Sequence, residues 1–388
     1  MNRKEAVGYL REVFGPALGE NLAPAMSDIS PELMSPHQLP SDWQVRLTPA
    51  MSDISPELLS PFGRVLIGDS TQITLHEKLA GEFRGSGGSA SISALRADLI
   101  YEARQNVVRN ILISGGNVPD QSRADEILSG IRENDLILRD LGYFSVRSLR
   151  EVGEKDAFFL SRLPKSVSVF LSDDRDASPV SLPGYVGRKF GNLPVTDMSI
   201  WVGDRERLPC RLVAYRLPDD VVANRRRKAR RDARKKGRQP SEEYMSWLRF
   251  GFYVTNVPSD IWNSDIIGTV YRLRWQIELI FKYWKSLIKI NIIRGTRRER
   301  AECFLYGRLI SVAVATMICG FASWHAYACL RKEAGFHKII RWLIRKDRLS
   351  VAIRSENMSG FFDDLRRKLE GDVSLPSKYI DSNRSEVF

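Results

Sequence analysis

The chain has 388 residues, 43 % of them hydrophobic and 27 % charged, a balance that excludes a disordered or fibrous protein and leaves ample material for a core. Fifty-nine Lys and Arg stand against 47 Asp and Glu, a net charge of +12. So basic a chain points to a polyanion, nucleic acid first and an anionic membrane surface second.

The N-terminal stretch MNRKEAVGYLREVFGPALGE is a charged helix-former without the apolar centre of a signal peptide, which points to the cytoplasm. Residues 1–62 are expected to be a helical N-terminal segment. Within it PAMSDISPELMSP, from Pro24, returns as PAMSDISPELLSP from Pro49. The copies differ at one position and their flanks do not match, so this is a local duplication rather than a solenoid. The four cysteines, Cys210, Cys303, Cys319 and Cys329, contain no CxxC pair, which argues against zinc and against a disulfide framework.

Residues 63–165 read as the first part of a catalytic core. RVLIGDSTQITL predicts a strand, a turn at Gly68–Ser70 and a second strand. A Gly/Ser loop, GEFRGSGGSAS, leads to a hairpin of LRADLIYEA and NVVRNILIS. DQSRADEILSGIRE predicts a helix, DLILRD a short strand, SVRSLREVGE a helix and DAFFLSRL a strand. Strands followed by alternating helix and strand predict an α/β fold, a mixed sheet flanked by helices.

Residues 166–245 change texture. VSVFL and PCRLVAYRL alternate with Pro/Gly turns and show no long helical period, so this segment is expected to be a β-rich insertion. It ends in a basic run, with ten Lys or Arg against one Asp between Arg225 and Arg238. The run reads either as a solvated helix or arm, or as a phosphate-contacting arm led by Arg225, Arg226, Arg227, Lys228, Arg230 and Arg231.

FGFYVTNVP predicts a strand, and a long helix is expected from about Ser264 to Ile288. Residues 246–330 would complete the core, and 331–388 form a basic helical tail. Leu309–Leu330 carries no Asp, Glu, Lys or Arg, yet it is rich in Ala, Ser and Gly between charged flanks. It reads as a buried core helix broken near Gly320, rather than a membrane span.

On the long helix, about 100° per residue places Tyr271, Arg274, Glu278 and Lys285 on one stripe roughly 60° wide. Lys282 and Lys289 fall beside it. Leu273, Ile277, Ile280, Phe281, Trp284, Leu287 and Ile288 gather opposite. A lone Glu among cations is either a helical salt bridge or a metal ligand among phosphate-binding groups. The second reading needs partner carboxylates. Strand alternation offers two: Asp69, the polar end of an apolar strand with Val65 and Ile67, and Asp140, sharing a face with Leu136 and Leu138. Each alone reads as a turn former. Together with Glu278 they could hold two hard cations about 3.5–4 Å apart, as in two-metal phosphoryl transfer.

The spacing Tyr271, two residues, Arg274, three residues, Glu278, six residues, Lys285 resembles the signature of DDE transposases of insertion sequences, the IS-four group. IGDSTQITL resembles that group's first-Asp strand, and LILRDLGYFS its second-Asp strand. The resemblance runs from about Arg64 to Ile318. It implies an RNase H-like core interrupted by an insertion before the Glu helix, with Asp69, Asp140 and Glu278 as catalytic ligands of two Mg²⁺ ions, for which Mn²⁺ can substitute. Tyr271, Arg274 and Lys285 would grip phosphates, with Lys282 beside them.

The implied substrates are double-stranded DNA ends, the terminal inverted repeats, and a target DNA. Synapsis implies a homodimer, without a membrane partner, at the nucleoid of a prokaryotic cell. Relatives stack a flipped base on a Trp in the strand before this helix. That strand has none here, so Trp247 and Phe252 are the candidates, with Phe250 a further one. Two other readings stay open: an impaired copy that acts only as a DNA-binding protein, and a stand-alone RNase H-like nuclease.

Overall fold

A computed structural model describes residues 56–87, 91–104, 107–118, 130–286, 288–330, 336–345, 348, 351, 354–355 and 357–371. The N-terminal segment with the first copy of the duplication, most of the helix expected over DQSRADEILSGIRE, and the end of the tail lie outside the described residues. Two compact units are present. One, the insertion unit, is built on Pro61–Asp69 and Pro119–Trp275, and the other, the helical unit, on Ser70–Val118 and Gln276–Pro376.

The insertion unit is a mixed sheet. Its strands are β1 (Val65–Thr74, which passes into the helical unit at Ser70), β4 (Leu136–Arg139), β5 (Phe158–Arg162), β6 (Val169–Phe170), β7 (Val195–Val202), β8 (Leu208–Arg216) and β9 (Phe250–Thr255). The hydrogen-bonded order is β1-β4-β5-β9-β8-β7-β6. β1, β4 and β5 run parallel, and the rest are antiparallel. All four residues of β4, LILR, are buried, as parallel strands covered on both faces require. Burying Val65, Ile67, Leu136, Leu138 and Leu160 stabilises the unit by roughly 1.5–3 kcal/mol each. Arg64 and Asp135, just ahead of β1 and β4, form an ion pair with Arg64 Nε 2.9 Å from Asp135 Oδ1. That pair fixes the relative register of the two strands.

Helices flank this sheet. α1 (Val146–Gly153) is capped by Ser145, whose hydroxyl accepts the Ser148 N–H at 3.4 Å, and it packs on β5. α2 (Leu182–Phe190), α3 (Asp219–Lys235) and α4 (Glu242–Trp247) belong to the insertion. α3 begins with Asp219 and Asp220 and ends with Arg234 and Lys235, which complements its dipole. Residues 166–245, expected to be a β-rich insertion, therefore hold three strands and three helices among the described residues. The basic run, for which a solvated helix was one of the readings, is helical through Lys235, with Val221, Val222, Ala229 and Ala233 recurring on one side.

The helical unit holds the hairpin of β2 (Ala94–Glu102) and β3 (Val107–Gly115), in the order β3-β2-β1. The Gly/Ser loop before β2 has its stem closed by Gly85 N–H donating to Ile92 O at 2.8 Å, and residues 88–90 of it lie outside the described set. Four helices follow: α6 (Trp275–Ser286), α7 (Arg298–Leu330), α8 (Phe336–Ile344) and α9 (Met358–Gly371). α8 and α9 pack on α7.

Three expectations need correcting. The turn at Gly68–Ser70 is absent: β1 is one ten-residue strand, because Gly68 stays in the ladder opposite Arg139. Asp69 is therefore mid-strand. The helix expected from Ser264 to Ile288 is α5 (Ile267–Tyr271), a 3₁₀ turn at Arg272–Arg274, and α6 ending at Ser286. Lys289 has φ 59° and leaves the stripe. The apolar helix is unbroken at Gly320: Arg298–Leu330 is one helix of 33 residues with no proline in it. Among the described residues no helix is long and apolar enough to cross a membrane.

Candidate active site

The site starts from strand register. Parallel β1 and β4 pair Val65 with Leu136 and Gly68 with Arg139. One step further along each chain stand Asp69 and Asp140. Neighbouring strands lie about 4.8 Å apart, so the two carboxylates emerge side by side. β4 ends at Arg139 while β1 runs on to Thr74. Carboxyl ends of parallel strands are where α/β sheets bind their ligands.

Arg274 comes from the 3₁₀ turn after α5 and spans the pair. Its Nη1 is 3.4 Å from Asp69 Oδ2 and its Nε is 3.7 Å from Asp140 Oδ1. The side chains of Arg274 and Asp69 are 15 % and 18 % exposed, and that of Asp140 is 39 % exposed. A guanidinium thus supplies the positive charge that the carboxylates call for.

Tyr271, expected on the polar stripe, is buried. Its hydroxyl donates to Arg139 O at 3.0 Å, the carbonyl just before Asp140. Its ring packs edge-on to Tyr253 at 5.2 Å, and Arg274 lies 5.9 Å from its centroid. Burial pushes the phenol pKa up, while the Arg274 guanidinium pulls the other way. Here Tyr271 fastens the turn that carries Arg274 to the strand end that carries Asp140.

Glu278, Lys282 and Lys285 lie on α6, in the helical unit. Glu278 and Lys282 are exposed and Lys285 is half-buried, its ammonium held below the ordinary lysine range by desolvation. Ile277, Ile280, Phe281 and Trp284 are buried, as the amphipathic pattern predicts. Among the described residues no three His, Cys, Asp or Glu side chains gather as a metal cage. Within its unit the structure thus brings Asp69, Asp140, Arg274 and Tyr271 together; Glu278 belongs to the other unit.

The other candidates divide. Arg225 Nη1 donates to Phe250 O at 3.3 Å, and Arg226 Nε and Nη2 donate to Met245 O at 3.1 and 3.0 Å. These two tie α3 to β9 and α4. Arg227, Lys228, Arg230 and Arg231 are exposed. Phe252 and Phe250 are core residues, with ring centroids 5.3 Å apart. Trp247 is half-buried and packs on Phe252 at 4.5 Å.

Two features carried no sequence signal. Arg96 on β2 is buried, pairs with Asp98 at 3.0 Å and donates to the hydroxyl of Ser70, the residue after Asp69, at 2.7 Å. Gln276, between Arg274 and Glu278 in sequence, is fully buried, and neither end of its amide finds a hydrogen-bond partner among the described residues. Alternation would have placed Arg96 and Asp98 on one face. Nothing in the sequence shows which strand they would meet.

A mixed sheet flanked by helices, with Asp69 inside β1 and Asp140 just past the end of the adjacent parallel β4, defines an RNase H-like core of the DDE kind. Residues 60–314 match the transposase DDE domain family, and the chain belongs to that family. It is 31 % identical over 271 residues to the transposase for insertion sequence element IS231B of Bacillus thuringiensis subsp. berliner, covering 66 % of this chain and 56 % of that protein. It is 30 % identical over 275 residues to the transposase for insertion sequence element IS1151 of Clostridium perfringens, covering 66 % and 57 %. A putative transposase InsL for IS186A of Escherichia coli (strain K12) matches over 103 residues at 31 % identity, covering 26 % and 28 %. The chain thus spans little more than half the length of the curated relatives it matches most extensively.

Proposed function

We propose that the protein is a DNA transposase that moves an insertion sequence by cut-and-paste, cleaving phosphodiester bonds at the element's ends and joining the freed strands to a target. The observation that carries this reading is the register that sets Asp69 beside Asp140, with Arg274 across both. The names of its relatives support it.

The donor set fits a hard divalent cation. Asp69 and Asp140 offer carboxylate oxygens, and the guanidinium between them shows that the pair accommodates positive charge. Asp69, Asp140 and Glu278 would hold Mg²⁺, two ions in all, with Mn²⁺ able to take its place. Ions held by these residues would supply activation of a water or a 3′-hydroxyl and stabilisation of the departing oxygen.

The remaining roles belong to the protein. Lys285 and Arg274 grip the phosphates flanking the scissile bond, and Lys282 adds charge beside them. Tyr271 holds the Arg274 turn in place. The outward cations of α3, Arg227, Lys228, Arg230 and Arg231, contact the backbone of the duplex. Trp247 is the surface on which an extruded base stacks. In domain terms the core is 63–165 and 246–330, interrupted by the insertion 166–245. Two protomers act together on a pair of ends, at the nucleoid of a prokaryotic cytoplasm.

The test is cleavage of labelled DNA carrying the element's terminal sequences, with Mg²⁺, by the wild type, Asp69→Ala and Glu278→Gln. The wild type should cut. Both variants should bind the DNA and leave it intact. Cutting by either variant would overturn the site. Specific binding with no cutting by any of the three would leave a DNA-binding protein only.

A further inference from the structure

The insertion contacts the chain segment that leads into the Arg274 turn, and it does so from one face of β8. Arg211 and Tyr215 stand four residues apart on that strand, hence on the same face. Arg211 is fixed by Asp197 on β7, with Nη2 2.5 Å from Oδ2. It donates from Nη1 to Val257 O at 3.2 Å and to Trp262 O at 2.7 Å. Trp262 is itself fully buried, against Phe62 at 4.8 Å.

Tyr215 completes the grip. The residue before α5 is Ile266, whose side chain cannot cap a helix, and no side-chain cap is present there. The Tyr215 hydroxyl takes that place: it accepts the Gly268 N–H at 3.0 Å and donates to Ser264 O. Its ring lies against the helix backbone, where a Cβ on Gly268 would stand 3.4 Å from it. Tyr215 packs edge-on to Tyr253 at 5.6 Å, and Tyr253 edge-on to Tyr271 at 5.2 Å. Tyr271 ends the chain of contacts on Arg139 O, one residue before Asp140.

We propose that β8 of the insertion sets the Tyr271–Arg274 turn against the carboxylate pair, with Tyr215 as its positioning residue and Tyr253 as the wedge that transmits the position. The insertion would then be part of the catalytic geometry and not only a DNA-binding addition. The proposal rests on the transposase reading. An error of about 1 Å in a group that orients substrate costs on the order of a hundredfold in rate, whereas it leaves affinity from distributed phosphate contacts almost untouched.

The experiment compares wild type, Asp69→Ala, Tyr215→Phe, Tyr253→Leu and Tyr253→Phe for DNA affinity and for single-turnover cleavage at saturating DNA and Mg²⁺. Tyr215→Phe and Tyr253→Leu should cleave about ten- to a hundredfold more slowly. Their DNA affinity should stay within about twofold of the wild type, since the phosphate contacts are distributed. Tyr253→Phe, which keeps the ring, should recover most of the rate that Tyr253→Leu loses. A wild-type cleavage rate in Tyr215→Phe, or equal losses in rate and affinity, would overturn the positioning role. Cleavage by Asp69→Ala, or none by the wild type, would instead overturn the reading beneath it.

Discussion

Arg274 and Asp69 approach to 3.4 Å between Nη1 and Oδ2, and the same guanidinium reaches Asp140 at 3.7 Å. A cation entering between these carboxylates competes with a charge already there. Replacing Arg274 by Met should therefore tighten Mg²⁺ or Mn²⁺ binding to the DNA-free protein by about tenfold, near 1.4 kcal/mol. Mn²⁺ titration followed by magnetic resonance, or the shift in melting temperature with Mn²⁺, reads this directly. On its proposed role of holding a phosphate, loss of the guanidinium should also abolish cleavage in the same variant. Metal affinity equal to or weaker than that of the wild type would show that Arg274 does not compete. Lys would be a poor substitute, because one ammonium cannot serve two carboxylates as a planar fork does.

The basic run of the insertion divides into inward and outward residues, and the two sets should behave differently. Arg226→Ala leaves the Met245 carbonyl without its two donors, so it should lower stability by about 1–3 kcal/mol. Changing Arg227, Lys228, Arg230 and Arg231 together to Gln should leave the unfolding midpoint nearly unchanged. It should weaken binding to every DNA sequence and flatten log K against log salt by about one per lost phosphate contact. Denaturant unfolding and a salt series of binding isotherms separate the outcomes. An unchanged salt slope would remove α3 from the DNA contact.

Much of this architecture was legible because single residues carry local signals. Leu136–Arg139, SVRSLREVGE and FGFYVTNVP gave the right element types, since their apolar periods differ and turn residues bound them. Asp69, Asp140 and Arg274 were found as candidates, Arg274 and Glu278 by fixed spacing on one helix. The 3₁₀ turn at Arg272–Arg274 was not legible, because a helical wheel assumes one period throughout. Nor was the burial of Tyr271: a Tyr reads as amphipathic until its neighbour, here Tyr253, is known. The Gly68 turn was misread because a Gly–Asp–Ser sequence carries the same composition whether it turns or stays paired in a ladder.

Lys285 offers a test by pH. Partial burial lowers its pKa, so the folded protein holds this proton less tightly than the unfolded chain does. The cost to stability is fully present below the folded pKa. It is relieved as pH rises through that value toward the ordinary lysine value of about 10.4. DNA affinity should move the opposite way, because the phosphate loses a cation. As pH rises through the folded value, below the ordinary lysine value of about 10.4, the wild type should lose more affinity than Lys285→Arg, whose guanidinium stays charged. Parallel pH profiles for the two proteins would show that Lys285 is not a phosphate ligand.

Trp247 and Phe252 were both candidates for stacking on a flipped base, and their burial separates them. Phe252 is 2 % exposed, so a base cannot reach its face without opening the core. Phe252→Ala should cost about 3–5 kcal/mol in stability, and any fall in activity should follow the loss of folded protein. Trp247, at the end of α4, covers Phe252 with one face and is half-buried. Trp247→Ala should leave most of the stability in place and reduce cleavage at the element's ends. With 2-aminopurine at the terminal position of the DNA, the wild type should show a fluorescence change on binding in Mg²⁺-free buffer, and Trp247→Ala should not. An identical change in both proteins would assign the stacking surface to another residue.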